Sequence, residues 1–213
     1  NALWGRSNIT GVLPVNLNLD YKRGHGVKKK SRSISLKTSL DDNFAEAYAV
    51  IDSAIKNNIF PGAQIAIIKN NQLVVNKAFG RYTYDDNSPL VNKETIFDIA
   101  SLTKVVATVP IVMKLISQKK ISLDQTVEQF FPSFTGYGKE KVTLLHLLTH
   151  SSGIEGYIPF YLDDSIDNRD DIINYILHSK LKYSPGTKTE YSDLGFILLT
   201  AIIEKVSRSS VDK

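Results

Sequence analysis

Cysteine is absent from the 213-residue chain, and methionine and tryptophan occur once each. Without cysteine there are no disulfides and no thiolate metal sites. The four histidines show no His-Glu-x-x-His spacing, so no zinc-hydrolase motif is present, and no cofactor or metal is called for. No apolar run approaches the roughly 18 residues needed for a membrane-spanning helix. An initiator methionine and a secretory leader pattern are missing, and the last residues, "EKVSRSSVDK", read as a helix ending. We expect a piece of a longer protein, so the missing leader says nothing about export. Internal repeats and low-complexity stretches are absent too.

What remains is the composition of an ordinary globular chain, 42% hydrophobic and 23% charged. The net charge of +4 is unevenly spread. Residues 1–40 hold eight Lys/Arg against one acid, Asp20, and the excess centres on "YKRGHGVKKKSRS". Basic runs can bind nucleic acid, but aromatic residues for stacking on bases do not accompany this one. It reads as a solvated linker, with no nucleic-acid partner. Asp163, Asp164, Asp167, Asp170 and Asp171 read as a solvated acidic loop rather than a metal site.

From Asp41 the pattern becomes periodic. Phe44, Tyr48, Ile51 and Ile55 recur at helical spacing after acidic residues, and Pro61-Gly62 is expected to end that helix. "AQIAIIKNNQLVVNKAFG" predicts two strands around an Asn70-Asn71 turn. Leu102 to Ser117 predicts a buried helix bent at Pro110, which lacks the N–H for one helical hydrogen bond. Short helices follow in "TLLHLLTHSSGI", "RDDIINYILHS" and "LGFILLTAIIEKVS". A helix, a hairpin and then more helices imply an α+β layer rather than alternating βαβ units.

Ser-x-x-Lys occurs five times, beginning at Ser53, Ser101, Ser117, Ser179 and Ser210. Only Ser101-Leu-Thr-Lys104 opens an apolar helix. There positions i and i+3 share a face, so Lys104 reaches toward the Ser101 oxygen. The helix dipole favours negative charge developing at the serine. Partial burial is expected to lower the lysine pKa so that it can accept the serine proton. A second element, "YSPGTKTEYSDLGFILL", places Tyr191 on a constrained loop between a Pro-Gly turn and a helix. A phenol beside a lysine ammonium can serve as general base. Asp193 suits equally a helix N-cap or a place in the site. His146, His150 and His178 read as helix or turn residues without chemistry, as does His25 in its loop.

"FDIASLTK", "LLTHSSGI" and "YSPGTKTEYSDLGFILL", in that order, resemble the penicillin-recognising serine hydrolases, on the class C β-lactamase, DD-peptidase and esterase branch. The resemblance runs from about residue 41 to the end. It implies a β-lactamase/transpeptidase-like α+β fold: an antiparallel sheet flanked by helices, an all-helical lobe, and the active site between them. It implies Ser101 as acylated nucleophile, Lys104 as its partner, Tyr191 as general acid/base and Asp193 as a substrate-binding residue. The family often has Asn where Asp193 stands. An ionised carboxylate accepts from Lys104 but has no proton to donate to a substrate, which favours esters or a relaxed peptidase over β-lactams. The family's third motif, Lys-Thr-Gly or His-x-Gly on a strand, belongs beyond Tyr191, so the chain ending at Lys213 is expected to be inactive alone.

Residues 1–27, with "NITGVLPVNLN", resemble the end of a family 3 glycoside hydrolase domain, leaving 28–40 as a basic linker and 41–213 as the hydrolase region. This layout implies extracytoplasmic cell-wall turnover in bacteria, with a peptidoglycan-derived or small-molecule substrate. Two alternatives stay open. One is a non-catalytic peptidoglycan-binding module, and the other a β-N-acetylhexosaminidase parent carrying this region as an appendage.

Overall fold

The computed structural model describes residues 44–69 and 72–211. The expected glycosidase tail (1–27), the basic linker (28–40) and the Asn70-Asn71 turn lie outside them. The described chain divides after Asp98 into two compact units.

The first unit pairs one helix with one hairpin. Helix α1 (Ala45–Lys56) packs Phe44, Tyr48, Ile51 and Ile55 onto the sheet, the four positions that the helical period selects. It stops at Lys56, before Pro61-Gly62. The Asn57 side-chain amide turns back to the Ser53 carbonyl, and Asn58 takes a left-handed φ of 55°. Asparagine tolerates that conformation, so the helix ends there and the proline is not what breaks it.

Strands β1 (Gly62–Lys69) and β2 (Gln72–Gly80) pair antiparallel, from Gly62 opposite Gly80 to Lys69 opposite Gln72. In β1, Ala63, Ile65 and Ile67 turn inward while Gln64, Ala66 and Ile68 turn outward. Ile67 pairs with Val75 and Ile68 with Leu73, so Val74 is the extra residue of a bulge. A bulge lets consecutive side chains share one face, which is why Val74 and Val75 are both buried. Tyr48 and Phe79 meet below them with ring centroids 5.6 Å apart.

The second unit is helical. Lys104–Thr108 forms a π-helical turn that runs directly into α2 (Val109–Ser117). Pro110 offers no N–H, and its ring would crowd the carbonyl four residues back. The Val109 N–H reaches Lys104 O instead. The predicted bend is thus taken up as a widened turn, a feature frequent at functional sites. The helix is not buried throughout: Val112 and Leu115 are, whereas Leu102, Val105 and Met113 are exposed.

Helix α3 (Leu144–Leu148) is capped by Thr143, whose hydroxyl accepts from the His146 N–H. Helix α4 (Arg169–His178) is capped by Asn168 in a reciprocal box with Asp171. Asp163 receives the Ser165 N–H and hydroxyl. The acidic loop therefore serves caps and turns, and no metal-holding cluster exists among the described residues. The buried Lys139 ammonium donates to the Leu177 carbonyl near the end of α4 at 2.7 Å.

Helix α5 (Asp193–Ser207) runs through the core, with Leu194, Leu198, Leu199, Ile202 and Ile203 almost inaccessible. Phe134, Leu144, Leu147, Ile154 and Ile176 close around it. Truncating a fully buried leucine loses transfer energy and leaves a cavity. Leu199→Ala is expected to destabilise the fold by about 2–5 kcal/mol in denaturant unfolding, while Met113→Ala changes it by no more than about 0.5 kcal/mol. Equal effects at the two positions would contradict this placement of the core.

Candidate active site

Ser101 follows Ala100, which is held at a φ of 43°. A non-glycine residue there carries strain of about 1–3 kcal/mol, of the kind concentrated at active sites. Among the described residues no backbone carbonyl outside the regular elements accepts from the Ser101 N–H, which sits at the entrance to the helix. Three turns bring Lys104 back onto the serine: the N–H groups of Leu102, Thr103 and Lys104 bond to the carbonyls of Ile99, Ala100 and Ser101.

Tyr191 arrives from 90 residues away. The loop before it is fixed by Gly186 N–H to Ser151 O and Lys182 N–H to Gly153 O, both 2.8 Å. Gly153 has a φ of 82°, and a Cβ there would run into the Tyr183 carbonyl. The Ser-Ser-Gly turn thus needs its glycine to receive the tyrosine loop. Gly156 meets the same constraint closer in, since a Cβ would lie 2.8 Å from the Tyr191 carbonyl oxygen.

These elements assemble four side chains. The Tyr191 hydroxyl donates to Ser101 Oγ at 2.7 Å. Lys104 Nζ donates to Ser101 Oγ at 3.3 Å and to Asp193 Oδ1 at 2.6 Å. Its ammonium also lies 5.1 Å from the centre of the Tyr191 ring. All four predicted site residues therefore meet, and all belong to the second unit. The other serine motifs are differently engaged. Ser117 and Ser179 hydroxyls donate to helix carbonyls, and Lys182 pairs with Glu155 and Glu190.

The N-cap of α5 is Ser192, whose Oγ accepts from the Gly195 N–H at 2.9 Å and donates to the Glu155 carbonyl at 2.7 Å. Asp193 is one residue inside the helix. Its carboxylate is accordingly free of capping and available to Lys104.

The electrostatics of Lys104 reverse the expectation. Burial alone pushes its pKa down, but the hydrogen bonds and charges of Asp193 and Tyr191 outweigh burial and hold it above the ordinary lysine range. Partial burial loses because a carboxylate at 2.6 Å favours the ammonium. Lys104 is therefore a cation at neutral pH. The stability this pairing contributes is present below the unfolded lysine pKa and is lost as pH rises through the higher folded one.

His150, for which the sequence suggests no chemistry, stacks on Tyr191 with ring centroids 4.5 Å apart. Beside Ser101 and Lys104 opens a cavity of about 570 Å³, walled by Ala100, Ile172, Phe196, Ile197 and Thr200.

Comparison with known proteins bears on the family and the fold. The Beta-lactamase family profile matches residues 47–213. An N-acetylmuramyl-L-alanine amidase of Bacillus subtilis is 31% identical over 182 residues, 76% of this chain and 41% of that protein. A putative D-alanyl-D-alanine carboxypeptidase of Escherichia coli is 31% identical over 172 residues, 72% of this chain and 39% of that one. The solved penicillin-binding protein homologue of Pyrococcus abyssi superposes with a TM-score of 0.64 at 30% identity, covering 80% of this chain and 40% of its own. The chain spans about two fifths of the length of these relatives. Its fold is α+β and β-lactamase/transpeptidase-like, with helices and a small antiparallel sheet. On the family profile, which covers well over half of it, the chain belongs to the Beta-lactamase family of serine hydrolases.

Proposed function

We propose that Ser101 is the nucleophile of an acyl-enzyme hydrolase acting on a peptidoglycan-derived amide or on an ester. The observation that supports this reading most is the convergence of a phenol oxygen at 2.7 Å and an ammonium at 3.3 Å on one solvent-open serine hydroxyl. To act as base, Tyr191 gives up to solvent the proton it donates to Ser101, and Lys104 is then the countercharge of its oxygen. The Ser101 oxygen attacks the substrate carbonyl carbon while its proton passes to the Tyr191 oxygen. The Ser101 N–H and the Lys104 charge face the oxyanion that forms. Tyr191 then hands the proton to the departing nitrogen or oxygen, the bond to that atom breaks, and an ester on Ser101 remains. The same phenolate takes a proton from water as the water oxygen attacks the ester carbon, and returns it to Ser101 Oγ as that C–O bond breaks and the acid leaves.

Asp193 anchors Lys104 and accepts hydrogen bonds from substrate, but cannot donate one while ionised. That weights the substrate toward esters and toward amides held by their own N–H groups. Relatives named as an amidase and a carboxypeptidase support a cell-wall substrate. With it go the extracytoplasmic location and the layout of a glycosidase-like segment (1–27), a linker (28–40) and a hydrolase region (41–213). The Asp193 carboxylate also favours a second reading, a peptidoglycan-binding module that retains the fold.

The deciding experiment treats the full-length protein with a fluorescent penicillin and with a fluorophosphonate, followed by intact mass and peptide mapping. An adduct on the Ser101 peptide is the expected result. A folded protein that takes neither reagent would leave the binding-module reading in place.

A further inference from the structure

His150 stands in the left-handed region with a φ of 55°, a strained position for a residue with a side chain. Three contacts run from it to a single tripeptide. Its carbonyl accepts from the Glu190 N–H at 2.8 Å. Its Nδ1 accepts from the Ser192 N–H at 3.1 Å. Its ring lies on Tyr191, at 29° to the phenol plane, and meets Phe196 with centroids 5.0 Å apart. The residues on both sides of the candidate base, and the base itself, are thus held by one histidine.

We propose that the neutral imidazole of His150 is a positioning group that holds the Tyr191 phenol against Ser101, and that its protonation releases the phenol and slows acylation in acid. The inference rests on the serine-hydrolase reading for its rate consequence, but not for the clamp itself. Nδ1 can accept from Ser192 only while it carries no proton, so the clamped tautomer has its hydrogen on Nε2. Adding a proton to Nδ1 sets two donors against each other and ends that bond.

The charged and titratable groups facing the ring are Lys104 from the π turn, Asp193 from α5 and the stacked Tyr191 phenol. The nearby Glu155 and Glu190 carboxylates are engaged by Lys182 and Lys188. Burial, and then the Lys104 ammonium, push the imidazole below the ordinary histidine range, against smaller opposing pulls from Asp193 and the Ser192 backbone. The clamp is therefore intact at neutral pH. Its stabilisation is complete above the unfolded histidine pKa and is lost as pH falls through the lower folded one.

The test uses the full-length protein with two readouts across acid and neutral pH. One is the rate of Ser101 labelling by a fluorophosphonate. The other is ¹⁵N NMR of the His150 ring together with the ring-proton shifts of Tyr191. His150→Asn keeps an acceptor oxygen for Ser192, tolerates the positive φ and does not titrate. His150→Ala removes both acceptor and stack. We expect His150→Ala to slow labelling about 100-fold at neutral pH, the scale of a misplacement near 1 Å. His150→Asn should stay within about tenfold of the unmodified protein and lose its acid limb. Tyr191 signals should move in step with His150 protonation.

An unchanged acid limb in His150→Asn would overturn the proposal. So would Tyr191 signals that stay fixed while His150 titrates. If the unmodified protein takes neither the fluorophosphonate nor the penicillin, the hydrolase reading falls, and the NMR titration still decides the clamp.

Discussion

Ser101→Ala is expected to abolish covalent labelling, lowering the rate by about 10³-fold or more, while leaving the fold unchanged. The Oγ atom accepts hydrogen bonds from Tyr191 and Lys104 and is open to solvent, so its loss leaves no cavity and no buried group without a partner. A surface deletion of this kind moves stability by about 0.5 kcal/mol at most. Alanine also keeps the backbone geometry after the strained Ala100. Binding of a peptidoglycan fragment should survive the substitution, because the cavity walls and the Lys104–Asp193 pair remain. Intact mass after fluorophosphonate treatment, beside a thermal melt, checks both halves. A persistent adduct would move the nucleophile to another residue, and none of the other four Ser-x-x-Lys serines is joined to a phenol among the described residues.

Lys104→Met is expected to slow acylation about 10³-fold, more than loss of a surface charge would explain. Methionine keeps most of the apolar stem but removes the only cation bonded to Asp193 among the described residues. The carboxylate is then left beside the serine with no countercharge, and the oxyanion forms against like charge. The elevated lysine pKa adds a testable sign. If the ammonium is the working form, the unmodified protein keeps its acylation rate until pH rises through that folded pKa, above the ordinary lysine range. A double substitution, Lys104→Met with Asp193→Asn, removes the stranded charge. It should recover part of the loss, about tenfold, if repulsion supplies that part of the effect. Stopped-flow labelling of the two variants separates the contributions. Equal rates for the single and double variants would show that Asp193 acts on nothing but Lys104.

Much of this could be read along the chain because the determinants are local. The helical period of Phe44, Tyr48, Ile51 and Ile55 defines the buried face of α1 wherever that helix sits. Pairing of the two strands in the first unit follows from their composition around a polar turn. Ser101 and Lys104 lie one helical turn apart, so their proximity follows from helix geometry. Tyr191 and Asp193 could be placed on a loop and a helix start, and motif order linked them to the serine.

Local rules ran out where several weak preferences competed. Asn58 ended α1 before Pro61 could, since a left-handed cap depends on how the chain beyond it packs. Pro110 widened the chain to a π turn instead of kinking an α-helix. Whether Asp193 capped α5 or belonged to the site was undecidable from neighbours alone. Packing the Ser192 hydroxyl between Glu155 and Gly195 decided it, and that choice freed the carboxylate for Lys104.

The elements, the family and the proximity of Lys104 to Ser101 are thus legible in the linear chain. The charge on Lys104 and the place of His150 are not, because both arise from tertiary packing. A pKa reflects burial against every nearby charge, and the carboxylate that wins here lies 89 positions away along the chain. The His150 clamp reaches a backbone N–H 42 positions away and a ring face 41 positions away, contacts that leave no pattern in a single sequence.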